Sequence, residues 1–144
     1  MSDASATLEA ARAELNARCD AIERCYEFML AYAAQGLTSD KGSGSGTQLR
    51  DFLGKCDQAL SDLGGFLTRF TQQLQVDSMA PYTGFMAVID RDARDAQAAV
   101  RLVLAQPEIS SQIVDNLNAS IHLRALLTDL FLIDEVLKTY RRAG

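Results

Sequence analysis

Residues 47–76, TQLRDFLGKCDQALSDLGGFLTRFTQQLQV, decide how this chain folds. Leu49, Leu53, Cys56, Leu60, Leu63, Leu67, Phe70 and Leu74 step along the stretch by four and three residues without a miss, and Phe52, Ala59 and Phe66 widen the stripe. A helix returns side chains to one face at that spacing, whereas a strand would scatter them over both faces. The stretch predicts one helix from a Thr47 cap to about Val76. Gly64 and Gly65 fall in its middle, where each costs about 1 kcal/mol relative to alanine. The pair therefore needs a packing reason or marks a kink.

The same period extends to either side. Leu8, Leu15, Ile22 and Met29 recur every seven residues, joined by Ala11, Cys19, Tyr26 and Ala33. They predict a helix over about 4–36, capped by Asp3 or Ser5 and stopped at Gly36. Between these helices, residues 38–46 (TSDKGSGSG) have no apolar anchor after Leu37 and read as a flexible Gly/Ser loop. Loop-closure entropy changes slowly with length, so shortening this loop is expected to leave the melting temperature nearly unchanged. Beyond Val76 a third helix is expected over 79–106, with Phe85, Ile89, Ala96, Ala99, Val100 and Val103 inside and Asp90–Arg94 as a helical ion pair. A fourth is expected over 108–142. Pro81 and Pro107 punctuate the ends. Four such rods joined by short connections predict one all-α domain over 1–144, an antiparallel up-down-up-down four-helix bundle. A helical-hairpin dimer sharing one core is the alternative.

Composition narrows the function classes. The 144 residues are 48% apolar and 23% charged, ordinary for a folded soluble protein, and the formal charge of −5 is the wrong sign for a phosphate-neutralising protein. Nucleic acid is not an expected partner. The first residues lack a basic segment followed by an apolar one, so cytoplasmic residence is expected. The most apolar stretch, 121–137, is interrupted by His122, Arg124, Asp129, Asp134 and Glu135, so no membrane is expected either. Cys19, Cys25 and Cys56 have no Cys-x-x-Cys spacing and read as reduced thiols. His122 is the single histidine, too few for a dimetal bundle or a histidine-rich zinc site, and no metal or cofactor is expected.

Two features remain. On a helical wheel Asp92 falls within the stripe of the third helix, and His122 falls between the apolar stripes of the fourth, beside Asn118 and Asp129. Antiparallel register then levels Arg18, Cys19, Gly64, Gly65, Asp92 and His122 at mid-bundle. One reading is a partnered buried pair, Asp92 with His122 or Arg18, that fixes register. The other is a pocket for a small polar ligand, with His122 suited to proton transfer near neutral pH. The second feature is surplus apolar surface on the fourth helix. Leu123, Leu126, Leu130, Ile133 and Leu137 form one stripe, Ile121, Ala125, Leu132 and Val136 a second, and Leu127 and Phe131 lie toward the polar edge. This predicts a homodimer with Leu127 and Phe131 at the interface. The expected function is a small, acidic, non-enzymatic interaction protein of adaptor or chaperone kind that binds itself and a protein partner. The alternative is a ligand-binding or enzymatic bundle with its pocket around Asp92 and His122.

Overall fold

The computed structural model describes residues 2–143, with side-chain environments over residues 6–140. The described residues form six helices and no strand: α1 (Ser2–Ala34), α2 (Gly44–Leu60), α3 (Leu63–Leu74), α4 (Met79–Leu104), α5 (Ser111–Ala119) and α6 (His122–Ala143). They pack as a helical bundle. α1 lies against α2 and α5, α4 lies against α3 and α6, and α2 also meets α4. The core runs between them, with Ile22, Met29, Leu49, Leu53, Leu67, Ile89, Val100 and Leu126 fully enclosed. α1 and α4 occupy nearly the residues their periodicity predicts. Gly36, at φ 67°, ends α1 in the left-handed conformation that glycine tolerates, while Asp3 and Ser5, the expected N-terminal caps, lie outside the described side chains.

Two of the four expected helices are each broken in two. The first break, at Ser61–Asp62, separates α2 from α3 and places Asp62 at φ 52°. Neighbouring polar groups hold it. Arg18 donates to the carbonyls of Ala59 (3.2 Å), in the last turn of α2, and Ser61 (2.7 Å), its C-cap, and Gln97 donates to the Asp57 carbonyl (3.0 Å) and to Ser61 Oγ (2.8 Å). These donors satisfy carbonyls that the end of a helix leaves without intrahelical partners. Both glycines now have a reason. A Cβ on Gly64 would stand 2.5 Å from Asp90 Cβ and 2.8 Å from its Cα, so α3 approaches α4 here at backbone distance, and a Cβ on Gly65 would meet Asp62 Oδ1. The second break, at Ser120–Ile121, separates α5 from α6. Ile121 takes φ 64°, a conformation that costs a β-branched residue about 1–2 kcal/mol.

The segment 38–46 corrects the expectation of a flexible loop. Ser43 caps α2 by accepting from Gly46 N (2.9 Å), so α2 begins at Gly44 within the Gly/Ser run and not at Thr47. Asp40, 6% exposed, is the centre of a buried polar knot. Its Oδ2 accepts from Arg50 Nε (2.5 Å) and its Oδ1 from the Ile109 amide (2.6 Å). Arg50 continues to the carbonyls of Leu104 (3.2 Å) and Gln106 (2.9 Å) at the end of α4. Beside it, Tyr32 donates to the Ile109 carbonyl (2.6 Å), and Ser111 Oγ donates to the Tyr32 carbonyl (2.7 Å) while accepting from the Leu37 amide (2.8 Å). A Cβ on Gly46 would collide with the Asp40 carbonyl, so only glycine lets α2 start this close to the knot. The loop joins the α1–α2 connection to the α4–α5 connection.

Candidate functional site

The expected mid-bundle layer does not assemble. His122 is exposed at the first residue of α6, because the break at Ile121 turns it away from the interior. Arg18 is committed to the α2 C-terminus, to Glu14 (2.9 Å) and to the face of Phe66, 4.9 Å from the ring centroid. Gly64 and Gly65 serve the α2–α3 break and open no ligand space. Cys19 is half-buried elsewhere, facing α6. Asp92, expected within the inner stripe of its helix, is half-buried on the edge of α4 that meets α6, and it meets neither His122 nor Arg18.

The partner of Asp92 is Asp129, on α6. The two carboxyl groups meet across the α4–α6 seam, and burial, then contact with Asp92, pushes the Asp129 carboxyl up to about 7. Asp129 Oδ2 is buried and accepts no hydrogen bond from a donor among the described residues. Burial and a neighbouring carboxyl both favour the protonated form, so Asp129 holds its proton below about pH 7. The sequence carries a signal for this contact, since Asp129 lies on the same wheel sector as Leu132 and Val136, the face of α6 that turns toward α4.

The pair has a consequence for stability. Between about pH 4, where an unfolded aspartate releases its proton, and about pH 7, the folded chain binds the extra proton. Stability therefore falls as pH rises through this window and stays lower above it. Asp129→Asn should remove the slope and, after discounting for the solvent that reaches the group, add about 1 kcal/mol at pH 8. That is roughly 3 °C in thermal melts compared at pH 5 and pH 8, and a variant less stable than wild type at pH 8 contradicts the reading.

Around this pair the outer seam of α4 and α6 is apolar. Toward one end Pro81, Tyr82, Phe85, Leu132, Ile133 and Val136 line a groove of about 260 Å³. Val88 lies one turn on, and Leu132, Val136 and Val88 are all exposed, Leu132 by 55%. Contacts of Asp92 with Asp129 and Tyr82 with Tyr140 fix the antiparallel register of the two helices. That register brings Leu102, 66% exposed, level with the α5–α6 break, where Ile121 is exposed as well. The seam is thus apolar at both ends with an acidic pair between. Residues that cost free energy in the isolated chain, exposed leucines and a strained isoleucine, concentrate there.

A second cleft, about 240 Å³, lies between α1 and α6. Leu15, Phe70, Leu130 and Leu137 contribute apolar walls, with Cys19, Glu23 and Asp134 beside them. Burial, Glu23 and Asp134 push the Cys19 thiol up to about 11, the opposite of what a nucleophilic thiol needs. Cys25 and Cys56 meet in the core between α1 and α2, and that contact, with burial, raises the Cys56 thiol further. Phe131 stands 57% exposed at the rim of the α1–α6 cleft, whereas Leu127 is only 6% exposed. Leu127 is therefore corrected from an interface residue to a core residue: α6 is rotated so that its Leu127 edge meets the bundle. Comparison with known proteins finds no family model, no curated protein and no solved structure that matches the chain. The chemistry of its own surface carries the functional reading.

Proposed function

We propose that the chain is a small acidic interaction module whose α4–α6 seam is covered by another polypeptide. The observation that supports this best is the concentration of exposed Val88, Leu102, Ile121, Leu132 and Val136 along one seam of two helices, where the fold leaves them uncovered. We read the six helices as four rods, α2 with α3 and α5 with α6 each forming one bent rod in an up-down-up-down bundle. In that reading the seam between the third and fourth rods is a continuous outer face about 30 Å long, the length of a helix of about twenty residues. Burying five such side chains on association would remove apolar surface at about 25 cal/mol per Å², against the entropic cost of binding. Self-association of adaptor or chaperone kind is one form of this reading, with a second copy as the cover. Phe131 remains available to it and Leu127 does not.

A helical peptide of about twenty residues with leucines at i, i+3, i+4 and i+7 positions serves as the test. Binding measured by fluorescence anisotropy is expected for wild type and is expected to fall by more than about tenfold in Leu132→Glu/Val136→Glu. The same double variant should keep its helicity and melting temperature, because those side chains are not part of the core. Equal binding by wild type and variant would contradict the proposal, as would a melting temperature lowered by several degrees.

A further inference from the structure

Apolar grooves are common and say little about what fills them, but this one has a charged centre. Asp92 and Asp129 sit midway along the seam, with Phe85, Val88, Leu132 and Val136 to one side and Leu102 and Ile121 to the other. Of the other carboxylates on α4 and α6, Asp90 pairs with Arg94 (2.9 Å) and Glu135 with Lys138 (2.6 Å), while Asp95 stays solvent-exposed. Among the described residues Asp92 and Asp129 form no ion pair with a basic side chain, and the buried Asp129 Oδ2 has no donor. A covering surface that offered only apolar groups would desolvate this pair further and leave it unmatched. A second copy docked by a two-fold axis on this face would bring one acidic pair toward another in a chain already at −5. A cation is what the centre lacks.

Building on the interaction reading above, we propose that the α4–α6 seam takes a single amphipathic helix of a partner protein whose apolar face carries one lysine or arginine at its middle. The apolar residues of that helix fill the groove between Pro81 and Val136 at one end and cover Leu102 and Ile121 at the other. The cationic head reaches the Asp92–Asp129 carboxyls from the solvent side, and the proton held on Asp129 leaves to solvent as the cation replaces it. Long basic side chains suit this position because their methylene stems lie along apolar surface while the head reaches the charge. The acidic pair thereby sets register against the groove as well as preference, since a helix displaced by one turn toward Pro81 would place its cation against the exposed Val88.

Three peptides of about twenty residues that differ only in their central groove-facing residue, Lys, Gln or Glu, separate the possibilities when titrated against the full chain. The lysine peptide should bind about tenfold more tightly than the glutamine peptide and the glutamate peptide most weakly. Asp92→Asn/Asp129→Asn, which preserves shape, should erase the ranking while retaining binding of the glutamine peptide; a melting curve verifies that the variant is folded. Asp129→Asn alone provides a second route if the double variant fails to fold, and it should reduce the preference. Equal affinity for the lysine and glutamine peptides, with binding still lost in Leu132→Glu/Val136→Glu, would overturn the cation but leave the seam as an interaction face. Binding of none of the three would overturn both. A wild-type dimer that dissociates in Leu132→Glu/Val136→Glu would overturn the partner helix in favour of a second copy.

Discussion

Asp40→Ala is expected to destabilise the chain by about 3 kcal/mol and lower its melting temperature by roughly 10 °C. The substitution removes two charge-assisted bonds at once and leaves the Ile109 amide without its acceptor and Arg50 without its counter-ion, both at a buried junction. Asp40 and Arg50 tie the α1–α2 connection to the α4–α5 connection, so the substitution loosens both ends of that tie. Asp40→Asn keeps an oxygen for Ile109 but not the charge for Arg50, and should cost about half as much. The Arg50 hydrogen bond holds the Asp40 carboxyl below the usual carboxylate range, which makes its pH dependence opposite to that of Asp129. This contribution is present above about pH 4 and is lost as pH falls below it through the folded-state value. Chemical denaturation at pH 7 and pH 3 checks both points. A change below about 0.5 kcal/mol in Asp40→Ala at pH 7 would show that the segment 38–46 is as loose as its composition suggests.

Gly64→Ala is expected to cost about 3 kcal/mol, although alanine is the better helix former by about 1 kcal/mol. The added methyl meets Asp90 Cα and Cβ, which belong to the α4 backbone and its root, so α3 must move away from α4. Gly54→Ala is the matched control. A Cβ there meets nothing within 4 Å in the middle of α2, and the substitution should stabilise by about 0.5–1 kcal/mol through helix propensity. Opposite signs for two glycine-to-alanine changes in neighbouring helices, read from urea denaturation, would establish the close approach. The same sign for both would remove the packing reason for Gly64.

The periodicity of residues 47–76 made the all-helical architecture legible because helix faces are local properties of a sequence. The breaks were less legible. Asp62 and Ile121 take positive φ at residues other than glycine, and nothing next to Ile121 announces that conformation. Gly64 and Gly65 did mark a discontinuity, but the chain breaks at Ser61–Asp62, ahead of them. The knot was hidden for a different reason: the groups that bury Asp40 lie on other segments, with Ile109 far along the chain and Arg50 on the polar side of α2. Composition described the run around Asp40 correctly as glycine- and serine-rich, yet those residues allow close packing there as well as motion. For the candidate site, the wheel places Asp92 within the inner stripe and excess apolar surface on α6. The rotation set by the Ile121 break decided the rest, turning His122 outward, Leu127 inward and Asp129 toward Asp92.

Amide hydrogen exchange of the full chain with and without saturating lysine-centred peptide tests the interaction face most directly. Slowed exchange is expected along α4 from Pro81 to Leu102 and along α6 from Ile121 to Val136, with α1 and α2 unchanged. Protection centred on the α1–α6 cleft around Cys19 and Phe131, with none along α4, would contradict the assignment of the seam as the surface this chain uses.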